Sequence, residues 1–125
     1  MRTKIVAGNW KMNKTFEEAD ELIFELIDLI EEKGKPKDVD VIICPPFIYL
    51  ELAGDITEDS PVFVGAQNVS QFDSGAYTGE ISAQMLRSMH IDFAIIGHSE
   101  RRKYFKESDE ELLAKAQAAL KHDIA

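Results

Sequence analysis

Two short segments of this chain bring together residue types that could do chemistry. Asn9 and Lys11 stand directly after the apolar run Lys4-Ile5-Val6-Ala7-Gly8, and His98 and Glu100 directly after Phe93-Ala94-Ile95-Ile96-Gly97. One lysine in a pocket can set a positive local field and hold an anion such as a phosphate. A histidine is a candidate for acid–base work. Residue type alone decides neither case. A lone loop lysine reads as a solvated charge, and Trp10 beside it as simple packing. A histidine after an apolar strand reads as a satisfied packing residue, and Glu100 as one half of a structural ion pair.

These residues need elements that hold them. Residues 4–8 suit a buried strand. Thr15-Phe16-Glu17-Glu18 has capping-box spacing, and Phe16, Ala19, Leu22, Ile23, Leu26, Ile27 and Ile30 follow as one apolar helical face, which Gly34 and Pro36 end. Val39 to Cys44 reads as a second strand. Pro45-Pro46 then forces an extended exit, with a short helix expected over 48–52. Residues 62–66 form a third strand. Gln67 to Glu80 is a polar loop with Gly75 and Gly79, of a length that is usually functional in a compact domain. A helix is expected over 82–89 and a fourth strand over 93–97. Ser108-Asp109-Glu110-Glu111 repeats the capping-box spacing and opens a helix through Leu112, Leu113, Ala116 and Leu120. The pattern is strand then helix, four times over. Near-continuous apolar strands with amphipathic helices between them predict an α/β fold, a parallel sheet covered by helices, in one domain over 1–125.

Composition narrows the function. At 125 residues with 45 % hydrophobic and 30 % charged side chains, the chain can bury a real core. A net charge of −9, with no basic block longer than Arg101-Arg102-Lys103, argues against nucleic-acid binding. Glu100 and Glu107 flank that block, so it reads as a balanced, solvated cluster. The single cysteine, Cys44, permits no internal disulfide and fits a reducing compartment. It reads as a small buried strand-end residue and not as a nucleophile. The apolar stretch from Val41 to Leu50 is too short and too broken to span a bilayer, and the N-terminus lacks the apolar core of a signal peptide. A cytoplasmic protein without membrane association is expected. The histidines lack metal-ligand spacing and there is no phosphate-cradling glycine motif, so no metal and no cofactor are expected.

The segments Ala7-Gly8-Asn9-Trp10-Lys11-Met12-Asn13 and Gly97-His98-Ser99-Glu100-Arg101-Arg102 resemble the lysine loop and the histidine loop of the triosephosphate isomerase family. Cys44-Pro45-Pro46-Phe47 and the run Gly75-Ala76-Tyr77-Thr78-Gly79-Glu80 are similar to further strings of that family. The resemblance implies four parallel βα units, half of a (βα)8 barrel whose sites lie at the C-terminal ends of the strands. It implies that Lys11 offsets the charge of a phosphorylated triose and of the developing enediolate, and that Asn9 places the lysine and contacts substrate. His98 is implied as the electrophile that polarises the carbonyl. It is expected to be neutral, because the family is a known case of a helix N-terminus acting on its histidine. Glu100 is implied as an acid near the lysine. The loop bearing Gly75, Tyr77 and Thr78 is implied to reach into a neighbouring subunit. A complete barrel needs about twice this length, and the family's glutamate base and closing lid belong to its second half. The expected partner is therefore a C-terminal half-barrel polypeptide, or a second copy of the chain. The alternative is a half-barrel that self-assembles without catalysis.

Overall fold

The computed structural model describes residues 2–125. They form two compact units, one running to Gly65 and the other from Ala66 to Ala125.

In the first unit β1 (Lys4–Asn9), β2 (Val39–Cys44) and β3 (Val62–Ala66) follow one another as neighbours, β3 ending on the first residue of the second unit. The pairings are parallel. Asn9 lies opposite Cys44, and Val41 opposite Val62. Parallel neighbours need a crossover. The first is α1 (Phe16–Lys33), and the second is a single 3₁₀ turn at Phe47–Tyr49 running into α2 (Leu50–Thr57). The start of α1 follows from its sequence. Glu18 N–H donates to the Thr15 hydroxyl at 3.5 Å, and Thr15 N–H donates to the Glu18 carboxylate at 3.0 Å. Ala19, Ile23 and Ile27, four residues apart, are its buried stripe. Gly34 ends the helix at φ 79°, its N–H bonded to the Ile30 carbonyl.

Three expectations change here. The helix after Pro45-Pro46 continues to Thr57, because Leu50, Ala53 and Thr57 bury a common face that the short apolar window did not cover. Phe16 lies outside the buried stripe and sets its ring edge-on against Tyr49, centroids 6.4 Å apart. β1, expected to be buried, is exposed, with Ile5 at 55 % and Val6 at 61 %. Among the described residues it has β2 as its one strand neighbour.

The second unit holds α3 (Ala83–Ser88), β4 (Phe93–Ala94), α4 (Ser99–Tyr104) and α5 (Asp109–Lys121). β4 is shorter than the apolar run 93–97. Ile95 N–H still reaches the Ala66 carbonyl at 2.8 Å, but Gly97 turns the backbone at φ 72°. The edge of β4 is also occupied. Ala94 N–H donates to the Ala125 carbonyl and Ala125 N–H to the Asp92 carbonyl. Ser82 and Ser108 cap α3 and α5, accepting from Met85 N–H and Glu111 N–H. The second capping box is only half made, and the Glu111 carboxylate lies 3.9 Å from Lys115 Nζ. The buried face of α5 is Lys115, Ala118 and Ala119, while Leu113 and Leu120 are exposed. Asp123 closes this helix in the left-handed region at φ 57°, as short polar residues can.

Candidate active site

Asn9 is the last residue of β1, so the loop that follows starts from a fixed point. The Asn9 side-chain oxygen accepts from Lys11 N–H at 2.9 Å, and Asn13 Nδ2 donates to the Trp10 carbonyl at 2.7 Å. These bonds wrap the loop into a compact turn in which Lys11 and Lys14 hold left-handed backbones, φ 56° and 79°. For a non-glycine residue that conformation costs about 1–2 kcal/mol. It persists where the surroundings over-determine it, and functional sites are where such strain gathers.

His98 is the N-cap of α4. Its Nδ1 accepts from Glu100 N–H at 3.1 Å, the bond that a serine or aspartate N-cap side chain would normally accept. A nitrogen that accepts carries no proton, so the ring's proton sits on Nε2. The Glu100 carboxylate is 3.6 Å from the same Nδ1, beyond hydrogen-bond reach. Gly97 makes this geometry possible. It adopts φ 72°, and a Cβ there would meet the Leu112 side chain at 3.2 Å.

The loop from Gln67 to Glu80 is anchored at its base and open at its tip. Asn68, Val69 and Ser70 are buried, while Gly75, Tyr77 and Thr78 are exposed. The Phe72 and Tyr77 rings stack in parallel at 3.8 Å. Asp73 is gripped by Lys121 at 2.5 Å and His122 at 3.3 Å, which hold its carboxyl below the usual carboxylate range. Cys44 is buried and its thiol is pushed up to about 11 by desolvation, so it is a protonated thiol near neutral pH and a poor nucleophile.

The model of the family described as triosephosphate isomerase matches residues 4–125. The chain belongs to the triosephosphate isomerase family. Among curated relatives, the triosephosphate isomerase of Flavobacterium psychrophilum is 51 % identical and that of Clostridium tetani 46 % identical over 124 residues, 99 % of this chain in both cases. The crystal structure of triosephosphate isomerase from Bartonella henselae superposes with a TM-score of 0.89 at 37 % identity, covering 99 % of this chain and 50 % of that one. The fold is therefore α/β, half of a (βα)8 barrel. The chain spans about half the length of the curated relatives it matches, 47 % and 48 %.

Of the positions singled out by the family's motifs, Asn9 and Lys11 sit together in the first unit, and His98 and Glu100 together in the second. Two features escaped the sequence. Arg101 and Glu107, read as part of a solvated cluster, are paired at 2.9 Å, with Glu107 buried. Buried Lys115 donates to the same Glu107 oxygen and, at 2.9 Å, to Asn68 at the base of the loop. Burial alone would raise the Glu107 carboxyl, but the hydrogen bonds from Lys115 and Arg101 outweigh it and hold that carboxyl below the usual range. The signal for this network was a lysine three residues past Leu112 on an otherwise apolar helix face, since buried lysines are almost always paired. The second feature is Tyr49. It is buried, with its hydroxyl donating at 2.7 Å to the carbonyl of Lys14 in the lysine loop. No local sequence signal pointed to it.

Proposed function

We propose that this chain supplies the N-terminal half of a triosephosphate isomerase, and that it interconverts dihydroxyacetone phosphate and D-glyceraldehyde 3-phosphate when completed by residues equivalent to the second half of its relatives. In this reading the 125 residues act as one half-barrel domain of a cytoplasmic enzyme of glycolysis and gluconeogenesis. Lys11 offsets the substrate phosphate and the negative charge that grows on the enediolate. Asn9 holds the lysine loop and contacts substrate. His98 polarises the carbonyl through Nε2–H and passes protons between the two substrate oxygens. By resemblance Glu100 takes the place of the family's acid. The proton alpha to the carbonyl goes to the family's glutamate, which by resemblance is not among these residues. Gly75, Tyr77 and Thr78 meet a neighbouring subunit.

The observation that carries this reading is the His98 ring, whose Nδ1 is occupied by Glu100 N–H. That leaves Nε2–H as the donor for an oxygen, the task the family gives it. The test is a coupled isomerase assay on the chain, on a C-terminal half-barrel taken from a relative, and on their mixture. Turnover in the mixture and in neither part alone is expected.

A second reading, self-assembly without catalysis, draws on the exposure of Ile5 and Val6 along β1. A well-folded mixture without turnover would favour it.

A further inference from the structure

Both ends of the loop that carries Lys11 are tied to one short segment, residues 44–49. At the near end Trp10 N–H donates to the Cys44 carbonyl at 3.1 Å. At the far end the Tyr49 hydroxyl donates to the Lys14 carbonyl at 2.7 Å. Between these anchors Lys11 and Lys14 hold their left-handed backbones, a conformation the loop's own sequence does not favour. The bonds from Asn9 and Asn13 are local and would travel with the loop if it moved. The tyrosine bond spans 35 residues and joins the loop to a buried side chain.

The chain places that hydroxyl by rigid means. Pro45-Pro46 leaves β2, the 3₁₀ turn closes with Tyr49 N–H on the Pro46 carbonyl at 2.9 Å, and α2 starts at the next residue. The ring is buried and is met edge-on by Phe16, in the first turn of the helix that follows the loop. The hydroxyl therefore has little freedom to follow a drifting carbonyl. A buried tyrosine commonly needs one polar partner. Here the partner is the backbone of the loop that bears the candidate substrate lysine.

We infer that Tyr49 is a positioning residue for Lys11, its hydroxyl locking the lysine loop in the strained conformation that presents the ammonium group. This rests on the proposed role of Lys11 in binding substrate.

The substitution Tyr49→Phe removes the oxygen and keeps the ring against Phe16, so the fold should stand. Lys11 and Lys14 are themselves tryptic sites, which gives a readout on the chain alone. Cleavage after Lys11 and Lys14, relative to cleavage after Arg87, should accelerate about threefold to tenfold, the change in local opening expected when one hydrogen bond is lost. In the completed enzyme the KM for triose phosphate should rise at least about twofold with kcat less affected, because fewer molecules hold the competent loop. A general loss of stability would not give that split, and it would speed cleavage at Arg87 as well. Unchanged cleavage at Lys11 and Lys14 overturns the inference. So does faster cleavage with an unchanged KM. Lys11→Met, assayed in parallel, separates the two proposals. If it leaves KM and kcat intact, the substrate role of Lys11 has failed, whatever Tyr49 does to the loop.

Discussion

The tautomer of His98 is written by its own helix. An N-cap side chain must accept from a helix amide, and here the acceptor is Nδ1. The consequence can be read without any substrate. Nitrogen-15 NMR on the uncharged ring should find Nδ1 unprotonated and Nε2 protonated. A proton on Nδ1 would mean that the Glu100 carboxylate, 3.6 Å away, has displaced the amide. In the completed enzyme His98→Gln should lower turnover by at least about 10², typical of losing an acid–base group. Near-normal turnover would take His98 out of the mechanism. Lys11→Met should weaken substrate binding and turnover while leaving the fold intact, since it removes a charge from an exposed loop and nothing from a core. At this scale the sequence was legible where the candidate residues stand close together along the chain. Asn9 with Lys11, and His98 with Glu100, lie two apart, and both pairs bond locally. Tyr49 was not legible because its partner is a backbone carbonyl far along the chain, and a carbonyl has no residue type to read.

Elements were legible where hydrogen-bond logic is local and less so where burial is decided by distant contacts. The Thr15 and Ser108 caps and the Gly34 stop follow from nearby residues alone. The face of α5 does not. Leu113 and Leu120 point to an apolar stripe, yet the helix buries Lys115 with Ala118 and Ala119, because Glu107 and Asn68 supply partners for the ammonium group. This network joins α4, through Arg101, to α5 and to the base of the 67–80 loop. Lys115→Met should therefore cost about 3 kcal/mol or more in a urea titration, since it leaves the buried Glu107 carboxylate with Arg101 as its remaining cation. A loss of only a few tenths of a kcal/mol would show that the charges are better solvated than their burial implies. Acid should act through the same pair. Glu107 is held ionised more firmly in the folded state than in the unfolded chain, so its contribution is complete above the ordinary glutamate range, near ~4.3, and is lost as pH falls below it. In Glu107→Gln that part of the pH dependence should vanish from the denaturation midpoint. Gly97→Ala tests the turn from β4 to His98. A side chain at φ 72° that also meets Leu112 at 3.2 Å should destabilise by about 1–2 kcal/mol, and His98 should lose its bond to Glu100 N–H.

For the molecule as a whole, the question is what the chain does unaided. β1 exposes Ile5 and Val6 and offers an open edge, the kind of surface that recruits another strand. Leu113 and Leu120 add exposed apolar surface on α5. The chain is accordingly expected to associate with itself or with a complementary half, and sedimentation at micromolar concentration should find a dimer or a larger species. A compact, stable monomer would count against this. Catalysis sets a stricter condition than association. Abstracting a proton alpha to a carbonyl needs a base above the carbon as well as an electrophile at the oxygen, and exclusion of water needs a lid. In the proposed function His98 is the electrophile and Lys11 the charge. Glu100, the one acid in the same motif, lies with its carboxylate 3.6 Å from Nδ1 of His98, the ring nitrogen that faces the helix. On that reading, self-association would multiply these groups without adding the family's glutamate. The chain alone is therefore expected to give no turnover above background in a coupled isomerase assay, at any concentration and in any oligomeric state. Adding a C-terminal half-barrel should restore turnover, and His98→Gln should abolish most of what is restored. Robust turnover by the chain alone would overturn the division of the site into complementary halves, because a base would then have to lie among these 125 residues.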